Sequence, residues 1–315
     1  MTAATLTGPP SSNTGANTCP LDLSYGVKIA ADLHFDWYEA TIRSDVSALV
    51  VVSSLGARLG VSFEAIRPQN GYGHGYRLVG LDAGTVAVYG GGTDAMGTHV
   101  KATSAAAVLA AEVIRERWPD HRVSRVDVAL DFDQPGAWDA LEPLVEGIAR
   151  NGGWRGRAMK VSTVGDWPHR EDPLAPLTLY CGASSGRLSS RLYRKGVEQL
   201  EKDPNCGASL HWVRFEWQVR PDSGQKAWAA RASLLELVGM TPYGAAVARA
   251  LVAADVAVLD RPARFASQDP GYWMAKQYGT VVDELLALDP LDMAVRLAAW
   301  RSLALGERLP EGAPF

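Results

Sequence analysis

The sequence predicts an α+β chain, a largely antiparallel sheet with helices on one face, followed by a helical C-terminal portion. Three observations carry this reading. Runs that alternate polar with apolar residues recur between Leu33 and Arg220, the period of half-buried strands. Segments with helical apolar spacing interrupt them at 45–59, 105–118 and 138–150. From Gln225 onward, Ala/Leu/Val-rich stretches at helical spacing replace the strands altogether. The resulting order, β-α-β-β-α-β-α-β-β-β and then helices, is an α+β arrangement.

Taken in order, Leu33–Ile42 reads as the first strand. Ser44 is expected to cap a helix from Asp45 to about Leu59, with Gly60 as its stop. Tyr72–Leu81 and Thr85–Tyr89 then form a hairpin across Asp82-Ala83-Gly84. Gly90-Gly91-Gly92 lacks the Gly-Lys-Ser/Thr of a phosphate loop and reads as a strand-end bend. A helix over Ala105–Trp118 stops at Pro119-Asp120, and Val123–Phe132 is the strongest strand signal. Trp138–Arg150 is helical, and 151–176, rich in Gly, Trp and Pro, is irregular with a short strand at Met159–Val164. Leu177–Tyr180, Leu188–Arg194 and Trp212–Arg220 complete the strands. Helices are expected at 225–238, 243–259, 271–287 and 291–304, and no internal repeat stands out. Residues 1–22, Thr/Ser/Pro-rich at their start, read as a disordered tail, 23–222 as the domain that carries chemistry, and 223–315 as a helical region packed on it.

Bulk composition excludes several classes. With 47% hydrophobic and 21% charged residues, the chain is ordinary for a globular protein. No apolar run approaches the ~20 residues of a membrane span, and no secretory leader pattern opens the chain, so cytoplasmic localisation is expected. Cys19, Cys181 and Cys206 form neither a disulfide framework nor a cysteine zinc site; Cys181 reads as a small buried strand residue. The net charge is −4, yet residues 150–195 hold nine Lys or Arg against three acids, a local basic segment suited to focusing a polyanion.

Polar strand faces gather the candidate chemistry. Arg125, Asp127, Ala129, Asp131 and Asp133 share one face of their strand, with Val126, Val128, Leu130 and Phe132 on the other. Clustered carboxylates need an offsetting cation, and hard oxygen donors suit Mg2+ or Mn2+; ordinary pairing of Asp127 with Arg125 or Arg214 is the competing reading. Arg214, Glu216, Gln218 and Arg220 form a second polar face, with Glu216 a metal ligand, a base or a cross-strand ion-pair partner. Arg191, Tyr193 and Lys195 point to one side of a third strand. A phenol is a poor nucleophile until cations or a polarised phosphate favour the phenolate, and Arg191, Arg194 and Lys195 are cations beside Tyr193. His34 precedes Asp36, but a histidine pair of the His-x-His kind is absent, and His99 and His211 read as structural.

These segments resemble the replication initiation factor family, whose members start rolling-circle replication and whose relatives act as relaxases of integrative conjugative elements. The residues that carry the resemblance are Ser124–Asp133, Thr178–Gly182, Arg191-Leu192-Tyr193-Arg194-Lys195 with Glu198, and Trp212–Glu216, within about residues 33 to 300. The chain departs from the family pattern at Arg194, where Asp or Asn is expected. The resemblance implies Tyr193 as nucleophile, assisted by Lys195, Arg191 and Arg214, and a Mg2+ or Mn2+ ion on Asp127, Asp131, Glu216 and Asp36. Arg155, Arg157, Lys160, Arg187 and Arg194 are the expected DNA-binding cations. Implied partners are a single-stranded or hairpin DNA origin, a second copy of the chain and a host helicase. A relaxase, a metal nuclease using water and a non-catalytic origin-binding protein are the alternatives.

Overall fold

A computed structural model describes residues 21–23, 27–29, 33–81, 84–93, 96–151, 158–252 and 287–304. The chain divides into two units, residues 1–260 and 261–315. In the first, β1 (Leu21–Leu23) and β2 (Val27–Ile29) form a small antiparallel ribbon, so the expected tail boundary at residue 22 falls inside a strand. The remaining described strands make one ten-stranded sheet with antiparallel pairing throughout. They are β3 (Leu33–Ile42), β4 (Ser62–Ile66), β5 (His74–Val79), β6 (Val86–Gly90), β7 (Thr98–Thr103) and β8 (Arg122–Asp133). β9 (Val161–Gly165), β10 (Leu177–Cys181), β11 (Leu188–Arg194) and β12 (Trp212–Val219) follow. Their order across the sheet is β4-β5-β6-β7-β3-β8-β12-β11-β10-β9.

Helices α1 (Ala48–Leu59), α2 (Ala105–Arg117), α3 (Ala137–Asn151), α6 (Leu234–Gly239) and α7 (Pro242–Val252) cover one face, with the short α5 (Lys226–Ala229) beside β8. The face they cover is the apolar side of each strand. Val126, Val128, Leu130 and Phe132 of β8 and Val213, Phe215, Trp217 and Val219 of β12 are all at most 2% exposed. They join α1–α3, α6 and α7 residues in one core cluster. At roughly 25 cal/mol per Å2 of buried apolar area, these side chains supply the main drive that holds sheet to helices. The opposite, open face keeps the polar residues that period two puts there. Cys181 is buried among the core strands, as expected. In the second unit the described element is α8 (Pro290–Ala304).

Several boundaries differ from expectation. The cap of α1 is Ser47 rather than Ser44: its side chain accepts from the Val50 amide, while residues 44–46 form a turn. Gly60 stops the helix as expected, in the left-handed conformation (φ 69°) that glycine adopts without a Cβ penalty. β4 and β7 were not anticipated, because each is short and its alternation is diluted by small residues. α4 (Lys195–Lys202) begins directly after β11, where no helix was expected. The expected helix at 271–287 lies outside the described residues but for its last position, as do residues 253–259 of the preceding one.

Candidate active site

Antiparallel pairing of β11 with β12 and of β12 with β8 places Tyr193 opposite Arg214, and Arg214 opposite Asp131. One step along, Arg191 lies opposite Glu216. All five therefore stand on the open face, on three adjacent strands. The Tyr193 hydroxyl donates to Glu216 Oε1 at 2.6 Å, and Arg191 Nε donates to Glu216 Oε2 at 2.6 Å. Arg214 donates to both Asp131 oxygens at 2.7 Å and to Asp36 Oδ1 at 2.6 Å.

Asp36 reaches this group because of an irregularity in β3. The register with β8 shifts between Phe35 and Trp37, a bulge that lets neighbouring residues break the strict alternation of faces. The Ser104 amide ties the bulge down by donating to the Asp36 carbonyl at 2.7 Å. His34, two residues earlier, has Nε2 3.7 Å from Asp131 Oδ2. Trp212 Nε1 also donates to Asp131, at 2.7 Å. Neither His34 nor Trp212 was singled out from the sequence as part of the site. The His34-x-Asp36 spacing is the signal the sequence offers for His34.

Burial shapes the titration of these groups. Tyr193 and Glu216 are 6% and 1% exposed. Burial, and then the Glu216 charge, push the Tyr193 phenol well above its ordinary value; Arg214 and Arg191 oppose this without reversing it. Burial likewise raises the Glu216 carboxyl, opposed by Arg191 and reinforced by Asp36. At Asp131 the balance reverses: burial pushes the carboxyl up, but the Arg214 guanidinium, with His34 and Trp212, outweighs it and holds the group ionised. In Arg214 and Arg191 burial works against the charge, but the facing carboxylates prevail and hold both protonated. Tyr193 thus rests as a neutral phenol whose proton already points at a carboxylate.

The remaining expected residues divide. Lys195 opens α4 with Nζ 2.7 Å from Glu198 and 5.5 Å from the Tyr193 ring centre, so its charge borders the site. Lys160 is exposed and lines a cleft on the open face with Arg125, Tyr180, Arg191, Glu216 and Gln218. Arg194, adjacent to Tyr193, lands on the helix side because successive strand residues alternate. Its guanidinium donates to the carbonyls of Arg170, Asp172 and Ala175 and lies over Trp138. Arg187 pairs with Asp222 and Gln225. Arg194 is therefore turned away from the open face, and Arg187 is engaged by these two side chains. Arg155 and Arg157 lie outside the described residues.

The four expected metal ligands do not form one ligand set. Asp127 is held bidentately by Arg125, Asp131 by Arg214 and Trp212, and Glu216 by Arg191 and Tyr193. Among the described residues no three His, Cys, Asp or Glu side chains are grouped to hold a metal ion. The guanidinium groups of Arg125, Arg191 and Arg214 already offset much of the carboxylate charge.

Comparison with known proteins bears on the half of the sheet that carries this site. A solved structure of a rolling circle replication initiator protein from Geobacillus stearothermophilus is 22% identical, with a TM-score of 0.48 over 76% of this chain and 91% of that one. No match was found among curated proteins. The family model described as replication initiation factor matches residues 121–289, from the start of β8 through β12 and the helices beyond. That match spans more than half of the 315 residues, and the chain belongs to the replication initiation factor family.

Proposed function

We propose that this chain starts rolling-circle replication by cutting one DNA strand with Tyr193, leaving a 5′-phosphotyrosine and a free 3′-OH. The observation that carries the reading is the short hydrogen bond from the Tyr193 hydroxyl to Glu216, flanked by Arg191 and Arg214. A buried phenol cannot ionise alone, so the nucleophile must lose its proton as it attacks. Glu216 is the acceptor: its carboxyl, raised by burial, takes the proton while Tyr193 Oη bonds to phosphorus. The P–O3′ bond breaks, and the 3′ oxygen takes a proton from water. Arg191 and Lys195 stabilise the charge that builds on the phosphoryl oxygens. Arg214, locked by Asp131 and Asp36, sets the position of Tyr193 across the strand pair rather than moving toward substrate. Lys160 and Arg125, on the same cleft, are proposed to guide the strand in.

The Mg2+ or Mn2+ of the resemblance enters no step of this scheme. Titrating Mn2+ into a chelated reaction decides it: saturable rescue supports the ion, and full activity in chelator removes it. The principal experiment incubates the protein with labelled single-stranded DNA from its own locus and looks for a denaturation-resistant adduct. An adduct that vanishes in Tyr193→Phe supports the proposal. Cleaved DNA without an adduct replaces it with hydrolysis by water, and binding without cleavage leaves an origin-binding protein.

A further inference from the structure

The sheet is built from two copies of one unit, although the sequence shows no repeat. β3-α1-β4-β5-β6-β7 and β8-α3-β9-β10-β11-α4-β12 each run strand, helix and four more strands, the second with α4 added between its last two strands. In both, the last strand returns to pair with the first, giving β4-β5-β6-β7-β3 and β9-β10-β11-β12-β8. The copies meet at β3 and β8, where Trp37 lies opposite Asp127. Strand registers extend the correspondence to single residues. Tyr89 pairs with His99, and His99 with Thr41. Tyr193 pairs with Arg214, and Arg214 with Asp131, in the same relative places. Tyr89 is therefore the counterpart of Tyr193, His99 of Arg214 and Thr41 of Asp131. One step along, Lys101 corresponds to Glu216, and at the centre Trp37 to Asp127.

The exchange has a direction. Where the second copy carries Asp127, Asp131 and Glu216, the first carries Trp37, Thr41 and Lys101, so the carboxylates are replaced by an indole, a hydroxyl and an ammonium. What remains on the open face is aromatic and cationic. Tyr72 stacks against His99 with ring centres 6.0 Å apart and planes at 18°, and Lys101 Nζ lies 4.4 Å above Trp37. The acids there are each matched by a cation: Glu39 by His99 at 3.2 Å, with Trp37 Nε1 donating to it at 3.2 Å, Glu64 by Arg77, and Asp36 by Arg214. Aromatic faces interleaved with cations hold single-stranded nucleic acid by stacking bases and attracting phosphates. The face is continuous with Tyr193, three strand spacings from Trp37 and four from His99 and Lys101, or about 14–19 Å.

We propose that the open face of the first copy, centred on Trp37, Tyr72, His99 and Lys101, is a non-cleaving subsite for the same DNA strand that Tyr193 cuts. This rests on the proposed function. Two oligonucleotides test it, one of about 6 nucleotides spanning only the scissile phosphate and one of about 20. In full-length Tyr193→Phe protein, Trp37→Ala and Lys101→Glu should each weaken the long oligonucleotide about tenfold. Lys101→Glu should also lower the salt slope by about 0.7. In the Tyr193 background, adduct formation on the short oligonucleotide should not change. Iododeoxyuridine placed away from the scissile phosphate should crosslink within residues 33–103, a readout independent of any substitution. Equal affinities together with no crosslink in that segment would overturn the subsite. So would an adduct that survives Tyr193→Phe and is lost on adding Tyr89→Phe, which would make the first copy a second cutting site. No adduct from the unsubstituted protein with any locus fragment sinks the proposed function instead.

Discussion

The two copies of the sheet unit share strand order and register but differ in what their open faces hold. In the second, a tyrosine hydroxyl is 2.6 Å from a buried carboxylate and flanked by two arginines. In the first, the corresponding Tyr89 has an imidazole on the neighbouring strand and a lysine where the carboxylate would be. The difference teaches that the backbone supplies only the row. Chemistry comes from the few side chains that convert a packed phenol into a proton donor with an acceptor.

The sharpest way to break this contrast is to remove each hydroxyl in turn. Tyr193→Phe is expected to lower adduct formation by about 10^4-fold or more, and Tyr89→Phe to leave it unchanged, measured by denaturing gel. Next comes the base. Glu216→Gln should slow adduct formation by about 10^2–10^4-fold. Because the folded-state value of Glu216 is raised, the unsubstituted rate should climb as pH rises through that value, and the glutamine variant should lose this limb. Stability runs the other way: a raised carboxyl favours the fold below its unfolded value, and the contribution fades as pH rises through the folded one. A rate that ignores pH while Glu216 titrates would remove it as the base.

Arg214→Ala strands Asp131 and Asp36 without their cation and should cost about 3 kcal/mol by denaturant titration. His99→Ala, its counterpart, should cost less than half of that, since His99 is bound to one carboxylate. Equal losses would mean that the two rows carry equal loads. The last expectation concerns acid. His121, beneath the first copy, sits between the Tyr38 hydroxyl and the Trp118 carbonyl, and burial lowers its value to about 4. The fold therefore prefers the neutral ring. That contribution is full above an unfolded value near ~6.5 and is lost as pH falls through the folded one, by about 3 kcal/mol. Unfolding titrations across this window should show the drop, and His121→Gln should flatten it.

Much of this was legible in the chain. The alternation of Val126, Val128, Leu130 and Phe132 with Arg125, Asp127 and Asp131 assigned faces correctly, because a period of two is a local property. The same logic placed Tyr193 and Arg191 together, and should have placed Arg194 on the helix side. Helix starts were less legible, since Ser44 and Ser47 are both competent caps and only packing of Val51, Val52 and Leu55 chooses between them. The duplication was hidden because two copies can share register while sharing almost no side chains.

Strand identity, facing and the inventory of carboxylates, guanidinium groups and phenol were set by short-range pattern, which needs no knowledge of neighbours. Which strands lie side by side was not. Arg214 meets Asp36 across 178 positions of chain, through the bulge at Asp36 and the pairing of β3, β8 and β12. Pairing of that kind is a property of the whole sheet, and it alone turned separated charges into a phenol facing its base.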